Sequence, residues 1–176
     1  ESRKKEYISI IDSNGQALLN LTNDILEFTR IQSNVVKLIQ IPFELNLFLE
    51  ELYTVFESLK AKKGKESIKL KLKVPDKSKP CNIHSDPSRL KQILINLIGN
   101  AFKFTPEGGR IDVSLTRAGN TSNFNTKIER LGEHIKIRIT DSGVGIPRIH
   151  LPKVFERFYQ VDGSHTREQD GTGIGL

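Results

Sequence analysis

The chain has 176 residues, of which 36% are hydrophobic and 27% charged, the composition of an ordinary globular domain. Its most apolar run, residues 93–98, is far too short to span a bilayer and includes Asn96. A single cysteine, Cys81, excludes an internal disulfide, and no Cys/His cluster has metal-ligand spacing. We therefore expect a cytoplasmic domain, with any membrane anchor of the full-length protein lying outside this chain.

The formal net charge of +6 raises the question of nucleic-acid binding. Nine lysines fall between Lys60 and Lys79, and within this run Ile68–Val74 alternates apolar residues with lysines. The alternation predicts a strand at a sheet edge, with one buried apolar face and one solvated lysine face. Because no aromatic residues are interleaved to stack on bases, the pattern disfavours nucleic-acid binding.

Residues 1–32 are predicted to form one long helix, because apolar residues recur at a seven-residue spacing. The repeat comprises Tyr7, Ile11, Leu18, Leu21, Ile25 and Phe28. A lone helix of this length is marginal in water, so this apolar stripe requires a partner. A bundle with another helix and packing against its own domain both remain open.

The central part of the chain alternates between helical and strand patterns. A second helix is predicted from about Leu45 to Lys62, ending near Gly64, and a short strand near residues 82–84 follows the lysine-rich strand. Asp86-Pro87 then opens another helix, with Asp as the capping residue and Pro at the first helical position. That helix continues through Leu90, Ile93, Leu94, Leu97, Ile98 and Ala101.

Two further strands and a loop follow a predicted turn at residues 105–109. The first strand places Ile111, Val113 and Leu115 on one face, and the second runs from His134 to Thr140. Residues 117–133 are rich in Gly, Asn, Thr and Ser and predict a mobile loop.

Three segments carry residues suited to nucleotide chemistry. The first is the helical face formed by Asn96, Asn100 and Lys103, at positions i, i+4 and i+7. An amide oxygen suits Mg²⁺, and a lysine supplies a point charge for phosphates. An ordinary solvated helix face has the same composition, so the pattern alone leaves both interpretations open.

The other two segments contain spaced glycines. Asp141-x-Gly143-x-Gly145 follows a strand, where a carboxylate can accept a hydrogen bond from the adenine amine while the glycines permit close approach and a sharp turn. In the last six residues, 171–176, alternating glycines free backbone N–H groups to cradle phosphates. A capped turn and a flexible terminus are the plainer interpretations of these two segments.

Together, in this order, the three segments resemble the N, G1 and G2 boxes of the catalytic domain of sensor histidine kinases, within the ATPase superfamily that includes gyrase and Hsp90. The whole of residues 86–105 is similar to that family, and residues 155–160, Phe-Glu-Arg-Phe-Tyr-Gln, resemble the F box before its ATP lid. Residues 21–31 are similar to the second helix of the dimerisation and phosphotransfer hairpin. The resemblance thus covers essentially the whole chain.

The resemblance implies a fold and a domain division. The expected fold is α+β, a two-layer α/β sandwich with a mixed sheet and helices on one face, preceded by a long bundle helix. Residues 1–33 would be the second hairpin helix, and residues 34–176 the catalytic ATP-binding domain, incomplete at its C-terminus.

The resemblance also implies roles for individual residues. Asp141 would bind the adenine amine, Gly143, Gly145 and Ile146 would form the base pocket, and Phe104 would place a ring against adenine. Asn100 would ligate Mg²⁺, and Lys103 would contact the phosphates. Phe155 and Phe158 would hinge the ATP lid, and Arg157 is a further candidate for contact with the γ-phosphate. The residues that would close over the phosphates or otherwise belong to the cofactor site are Gly171, Thr172, Gly173, Gly175 and Leu176.

Asn96 distinguishes the candidate activities. Hydrolysing relatives such as gyrase carry a glutamate there to activate water, and an amide cannot act as that base. Asn96 and Lys103 are therefore expected to be the catalytic pair of a protein-histidine kinase that uses Mg²⁺ and ATP. A hydrolysing ATPase and a non-catalytic dimerisation or sensing module are the alternatives.

The resemblance further implies partners and a phosphoacceptor. A homodimer through the N-terminal hairpin and the receiver domain of a response regulator are expected, without nucleic acid. None of the four histidines, at positions 84, 134, 150 and 165, matches the family's phosphoacceptor, which is expected upstream of Glu1.

Overall fold

The structure is a computed structural model that describes residues 2–33, 37–62, 64–74, 79–118, 134–156 and 159–160. The chain divides into two compact units. One comprises Ile39–Arg148, and the other comprises the residues up to 38 together with those from 149 onward. Among the described residues, no helix is both long enough and apolar enough to cross a membrane.

A single helix, α1 (Ser2–Gln32), occupies almost all of the first 33 residues, which confirms the predicted long helix. The apolar side chains of its repeat that the structure describes are exposed: Tyr7 63%, Ile11 71%, Leu18 64% and Ile25 43%. The side chains of Leu21 and Phe28 lie outside the described part of the chain. The helix therefore presents much of its predicted apolar stripe to solvent.

The unit Ile39–Arg148 contains two helices and five strands among its described residues, in an order close to that predicted. The helices are α2 (Leu45–Lys62) and α3 (Pro87–Phe104). The strands are β1 (Ile41–Glu44), β2 (Lys69–Lys73), β3 (Asn82–Ser85), β4 (Arg110–Ala118) and β5 (His134–Asp141).

The strands form two sheets. In the larger, with order β2-β4-β5, β2 runs parallel to β4 and β4 runs antiparallel to β5. The smaller sheet pairs β1 with β3 antiparallel. The mixed sheet was predicted, and the lysine-rich strand β2 does lie at its edge among the described strands.

Both helices of this unit contribute to one hydrophobic core with the larger sheet, so the architecture is the predicted two-layer sandwich. Ile111 of β4 is fully buried, and Leu45 of α2 and Ile68 before β2 are 1% exposed. Inward-facing residues of the two helices and of strands β2 and β4 line a small apolar cavity: Leu49, Leu52, Tyr53, Phe56, Leu70, Leu72, Leu94, Ile98 and Val113.

A carboxylate fixes the start of α2. Glu44 accepts hydrogen bonds from the backbone N–H groups of Asn46 (3.0 Å) and Leu47 (2.6 Å) in the first turn, and from Cys81 (2.7 Å) just before β3. Burial opposes ionisation of Glu44, but these donors outweigh it and hold the pKa of the carboxyl below its usual value. Cys81 is itself 3% exposed, so its thiol occupies a packing position.

Strand β1 includes Pro42, opposite His84, because a strand paired in a two-stranded sheet can place a residue without an N–H away from the ladder. The structure departs from the predicted loop at the end of β4. Strand β4 continues through Ala118, so the first two residues of the predicted 117–133 loop are strand, held by pairing of Arg117 with Ile135. Residues 119–133 lie outside the described part.

Candidate functional site

Helix α3 carries the first group of candidate residues. Its buried face comprises Leu94, Ile98, Ala101 and Phe102, which repeat at helical spacing and pack into the core. The opposite face carries Asn96, which is exposed, and Asn100 and Lys103, which are half-buried. The structure therefore brings the two amides and the ammonium together on one face of a single helix.

The N-terminus of α3 is capped by Asp86, as predicted. Its Oδ1 accepts hydrogen bonds from the Ser88 hydroxyl (2.6 Å) and from the backbone N–H groups of Ser88 (3.0 Å) and Arg89 (3.1 Å). Its Oδ2 accepts the N–H of Ile39 at 2.9 Å, which ties the helix to the chain before β1. The Ser88 hydroxyl, followed by the backbone donors, lowers the pKa of Asp86 to about 2. The cap thus helps to fix the start of the helix that carries the candidate residues.

The segment after β5 forms a tight turn around Asp141. Asp141 Oδ1 accepts the backbone N–H of Gly143 at 2.8 Å, and Gly145 has a φ of 70°, a conformation that glycine adopts without strain. Asp141 is in register with the buried Ile111, so the alternation of β5 places it on the core side of the sheet. Because it is the last residue of the strand, Asp141 is nevertheless exposed. The predicted sharp glycine turn is therefore present.

The same turn lies directly against the C-terminal end of α3. The N–H of Val144 points to the carbonyl oxygen of Phe104 at 3.4 Å. A Cβ atom on Gly143 would lie 2.6 Å from that oxygen and 2.7 Å from Asp141 Oδ1. Only a residue without a side chain fits here, so Gly143 allows the Asp141 turn and the end of α3 to approach each other.

A second set of contacts, which was missed from the sequence, holds the base of this junction. Ser142 donates its N–H to the Arg110 carbonyl, and its Oγ accepts the N–H of Arg110, both at 2.9 Å. A Cβ on Gly109 would lie 2.4 Å from Thr105 Cγ2 and 3.0 Å from Ser142 Oγ. The sequence Thr-Pro-Glu-Gly-Gly indicated only a turn. The need for Gly109 arises first from Thr105 and Pro106 in the same turn, and Ser142, 33 residues away, adds a third close neighbour that the local pattern does not reveal.

Lys103 and Phe104 lie at the end of α3, beside this junction. The Lys103 Nζ is 5.2 Å from the centroid of the Phe104 ring, within range of a cation–π contact. The ring is 38% exposed, so part of its surface is accessible to a ligand. Ile146, predicted to line the base pocket, is 47% exposed after the turn.

The remaining candidates lie elsewhere or outside the described residues. Phe155 is 76% exposed and follows a short 3₁₀ turn, Leu151–Lys153, in the other unit. His150 in that unit contacts the Tyr159 hydroxyl at 2.5 Å. The candidates outside the described part are Arg157, Phe158, Gly171, Thr172, Gly173, Gly175 and Leu176.

The chemistry of the site suits an anionic nucleotide better than a metal held by protein alone. Among the described residues, no group of three His, Cys, Asp or Glu side chains could hold a metal ion. Asn100 offers one amide oxygen, which fits Mg²⁺ only when phosphate oxygens and water complete its octahedral shell. The fold and this site together form a two-layer domain in which one helix face and one carboxylate turn, both suited in chemistry to a nucleotide, meet at the helix end.

Comparison with known families identifies the domain more closely. Residues 85–176 match the family described as histidine kinase-, DNA gyrase B- and HSP90-like ATPases. The chain belongs to this family.

Among curated relatives, the chain is 36% identical to the signal transduction histidine-protein kinase BarA of Escherichia coli K12, covering 98% of this chain and 17% of BarA. It is 35% identical to the circadian input-output histidine kinase CikA of Synechococcus elongatus, covering 99% of this chain and 21% of CikA. The chain thus spans about a fifth of these relatives or less. Their names confirm the resemblance to sensor histidine kinases.

Solved structures of histidine kinases have the same fold. Full-length ShkA in complex with AMPPNP superposes with a TM-score of 0.73 at 26% identity, covering 99% of this chain and 32% of ShkA. The histidine kinase ThkA in complex with the response regulator protein TrrA gives a TM-score of 0.62 at 26% identity, covering 89% of this chain and 40% of ThkA. The predicted fold class is confirmed.

Proposed function

We propose that this chain is the ATP-binding catalytic part of a sensor protein-histidine kinase, which transfers the γ-phosphoryl group of ATP to a histidine and onward to a response regulator. The observation that carries the proposal is the junction between the Asp141 turn and the end of α3. There a carboxylate for the base lies near a helix face with two amides and an ammonium for the phosphates. The complex of ThkA with TrrA supports the response regulator as partner.

In this proposal the base and the phosphates are bound by different residues. Asp141 Oδ1 is engaged by Gly143, which leaves Oδ2 to accept the adenine amine. Gly143, Gly145 and Ile146 border the base, and the exposed part of the Phe104 ring stacks on it. Lys103 pairs with phosphate oxygens, and Asn100 ligates Mg²⁺ bound to the same phosphates. Residues 171–176, which lie outside the described part of the chain, are predicted to close over the phosphates.

Phosphoryl transfer is favoured over hydrolysis because of Asn96. The residue is exposed on the same face as Asn100 and Lys103, where an activating base would be needed for attack by water. An amide does not accept a proton at neutral pH, so it orients groups rather than deprotonating them. Catalysis by Asn96 and Lys103 then consists of positioning and charge neutralisation, as in phosphoryl transfer generally. Slow ATP hydrolysis by the chain is the corresponding expectation.

We further propose that residues 1–33 are the second helix of the dimerisation hairpin and residues 34–176 the catalytic domain. The exposed apolar residues of α1 support association with another copy of the chain through this helix. Concentration-dependent sedimentation, abolished by Ile11→Ser with Leu18→Ser, is the expected result.

The assignment of residues to base and phosphates is tested by calorimetry with ATP and with adenosine. Asp141→Asn is expected to weaken both ligands by about 1.5–3 kcal/mol, the usual loss for a hydrogen bond to a charged group. Lys103→Gln is expected to weaken ATP but leave adenosine unchanged. Glu66→Gln, which removes an exposed carboxylate from the same unit, is the matched control and should bind both ligands as the wild type does.

The role of Asn100 is tested by the same titrations with and without magnesium. Asn100→Ala should weaken ATP binding in Mg²⁺ and have little effect when a chelator is present.

Unchanged ATP affinity in the Asp141 and Lys103 variants would remove the nucleotide from this junction and refute the proposal.

A further inference from the structure

The outward face of the larger sheet carries a dense set of basic side chains. Strand alternation places six cations on this surface, which we call the basic sheet face: Lys69, Lys71, Lys73, Arg110, Lys136 and Arg138. The opposite face of the same strands carries Leu70, Ile111, Val113, Leu115, Ile137 and Ile139, which pack in or against the core. The basic sheet face is therefore directed away from α2 and α3.

The described strands place little negative charge on this face. Asp112 is the one acidic residue that the described strands place there, and it pairs with Arg110 at 2.8 Å and with Lys73 at 3.5 Å. The face thus has a formal net charge of +5, against +6 for the whole chain. Lys69, Lys71, Lys73, Arg110 and Arg138 are exposed, and Lys136 is half-buried.

The remaining side chains of the face exclude some classes of partner. Strand alternation places Ser114, Thr116, Ala118, His134 and Thr140 there, so the described strands contribute no Phe, Tyr, Trp or large apolar residue to this face. Protein interfaces are built around a desolvated apolar or aromatic centre, and single-stranded nucleic acids are bound by stacking on aromatic rings. Neither feature occurs on the described part of this face. A flat array of cations instead suits an extended anionic surface, which is bound by charge attraction and does not require a complementary shape.

We propose that the basic sheet face binds an anionic phospholipid membrane surface by electrostatic attraction. The cations are about 7 Å apart along each strand and about 5 Å apart between strands, so several can face a planar layer at once. Each lysine or arginine close to such a surface strengthens partitioning about fivefold, and groups of about four to eight basic residues suffice for binding. The net charge of the face lies within that range.

The proposed membrane surface and the nucleotide do not compete. Asp141 lies in register with Ile111 on the core side of the sheet, and Asn100 lies on α3, which packs on that side. The lipid-facing lysines lie on the other side. The basic sheet face and the candidate nucleotide site are thus separate, and binding to one leaves the other accessible.

The test is co-sedimentation of the 176-residue chain with vesicles of phosphatidylcholine alone or mixed with phosphatidylserine. The face variant combines Lys69→Gln, Lys71→Gln and Arg138→Gln. The control variant combines Lys4→Gln, Lys37→Gln and Lys91→Gln, which are also exposed, so each lowers the formal net charge from +6 to +3. Thermal unfolding checks that the face variant and the control variant both fold. If the triple face variant does not fold, the three single face variants are tested in its place.

We expect the wild type to bind only the anionic vesicles, with an affinity that falls steeply as salt is added. The face variant should lose on the order of a hundredfold in partitioning at low salt, each single face variant about fivefold, and the control less than tenfold. Equal losses in the two triple variants would show that only overall charge matters and would overturn the proposal. The proposal would also be overturned if the chain bound neutral vesicles equally well or bound no vesicles. The same holds if it bound oligouridine or polyglutamate more tightly than anionic vesicles and this binding depended on the face.

Discussion

Replacing Gly143 by alanine tests whether the close approach of the Asp141 turn to α3 holds the site together. The added Cβ would lie 2.6 Å from the Phe104 carbonyl oxygen and 3.0 Å from its carbon. Ordinary non-bonded contacts lie at about 3.5 Å or more, so the turn must move by roughly 0.9 Å. Backbone atoms give way less easily than flexible side chains, and the Val144–Phe104 contact, already 3.4 Å long, is expected to break.

The expected cost follows from two opposing effects. Overpacking of this kind costs about 1–3 kcal/mol, whereas replacing glycine restricts the unfolded chain and returns about 0.4–1 kcal/mol. The net loss in the free energy of unfolding should therefore be about 1–2 kcal/mol. Displacement of the Asp141 carboxylate should in addition weaken ATP binding at least tenfold, equivalent to about 1.4 kcal/mol.

The measurement is urea unfolding followed by far-ultraviolet circular dichroism, because the chain contains no tryptophan. Gly99→Ala is the matched control, since Gly99 lies within α3 and a Cβ there meets nothing within 4 Å. That variant should be more stable by about 0.5–1 kcal/mol, the helix preference of alanine over glycine. If Gly143→Ala unfolds and binds ATP like the wild type, the close approach has no role in the site.

Three further predictions follow from the described contacts. Ile111→Ala should lower the free energy of unfolding by about 2–5 kcal/mol in urea, because the side chain is fully buried, and a smaller loss would show that the core collapses around the cavity. The folded-state pKa of Asp86 is about 2 against an ordinary 3.8, so the stability that it provides is present above about pH 4 and lost as the pH falls towards 2. Acid titrations should therefore show a weaker decline in Asp86→Asn, and parallel curves would contradict this. Incubation with γ-labelled ATP should give no acid-labile label, because none of the four histidines is directly followed in sequence by an acidic residue that could orient the ring. Stoichiometric acid-labile label would identify one of them as an acceptor.

Elements whose cause is local could be predicted from the sequence. The Asp86-Pro87 pair determines the start of α3 through one side chain and one fixed φ, and both features are readable over a few residues. Strands β4 and β5 were predictable from the alternation of their apolar residues, except for the last two residues of β4, where Arg117 breaks the pattern. The common face of Asn96, Asn100 and Lys103 follows directly from helical periodicity.

Features that depend on distant partners could not be predicted in this way. Glu44 resembles any surface glutamate in sequence, and its importance comes from Cys81, 37 residues further along, whose N–H it accepts. The separation of β1 and β3 into their own sheet depends on pairing across α2 and β2, which no local pattern encodes. For Gly143, the sequence indicated close approach to a ligand, whereas the structure shows close approach to the backbone of Phe104.

The parallel pairing of β2 with β4 has a consequence for folding. Parallel strands cannot be joined by a tight turn, and the segment between these two includes β3 and all of α3. The helix that carries Asn96, Asn100 and Lys103 is therefore enclosed in a long loop that must close before the sheet is complete, a topology associated with slow folding. Once the loop is closed, α3 lies in the chain between β3 of the smaller sheet and β4 of the larger one, so its amide protons should exchange mainly through global unfolding rather than local fraying.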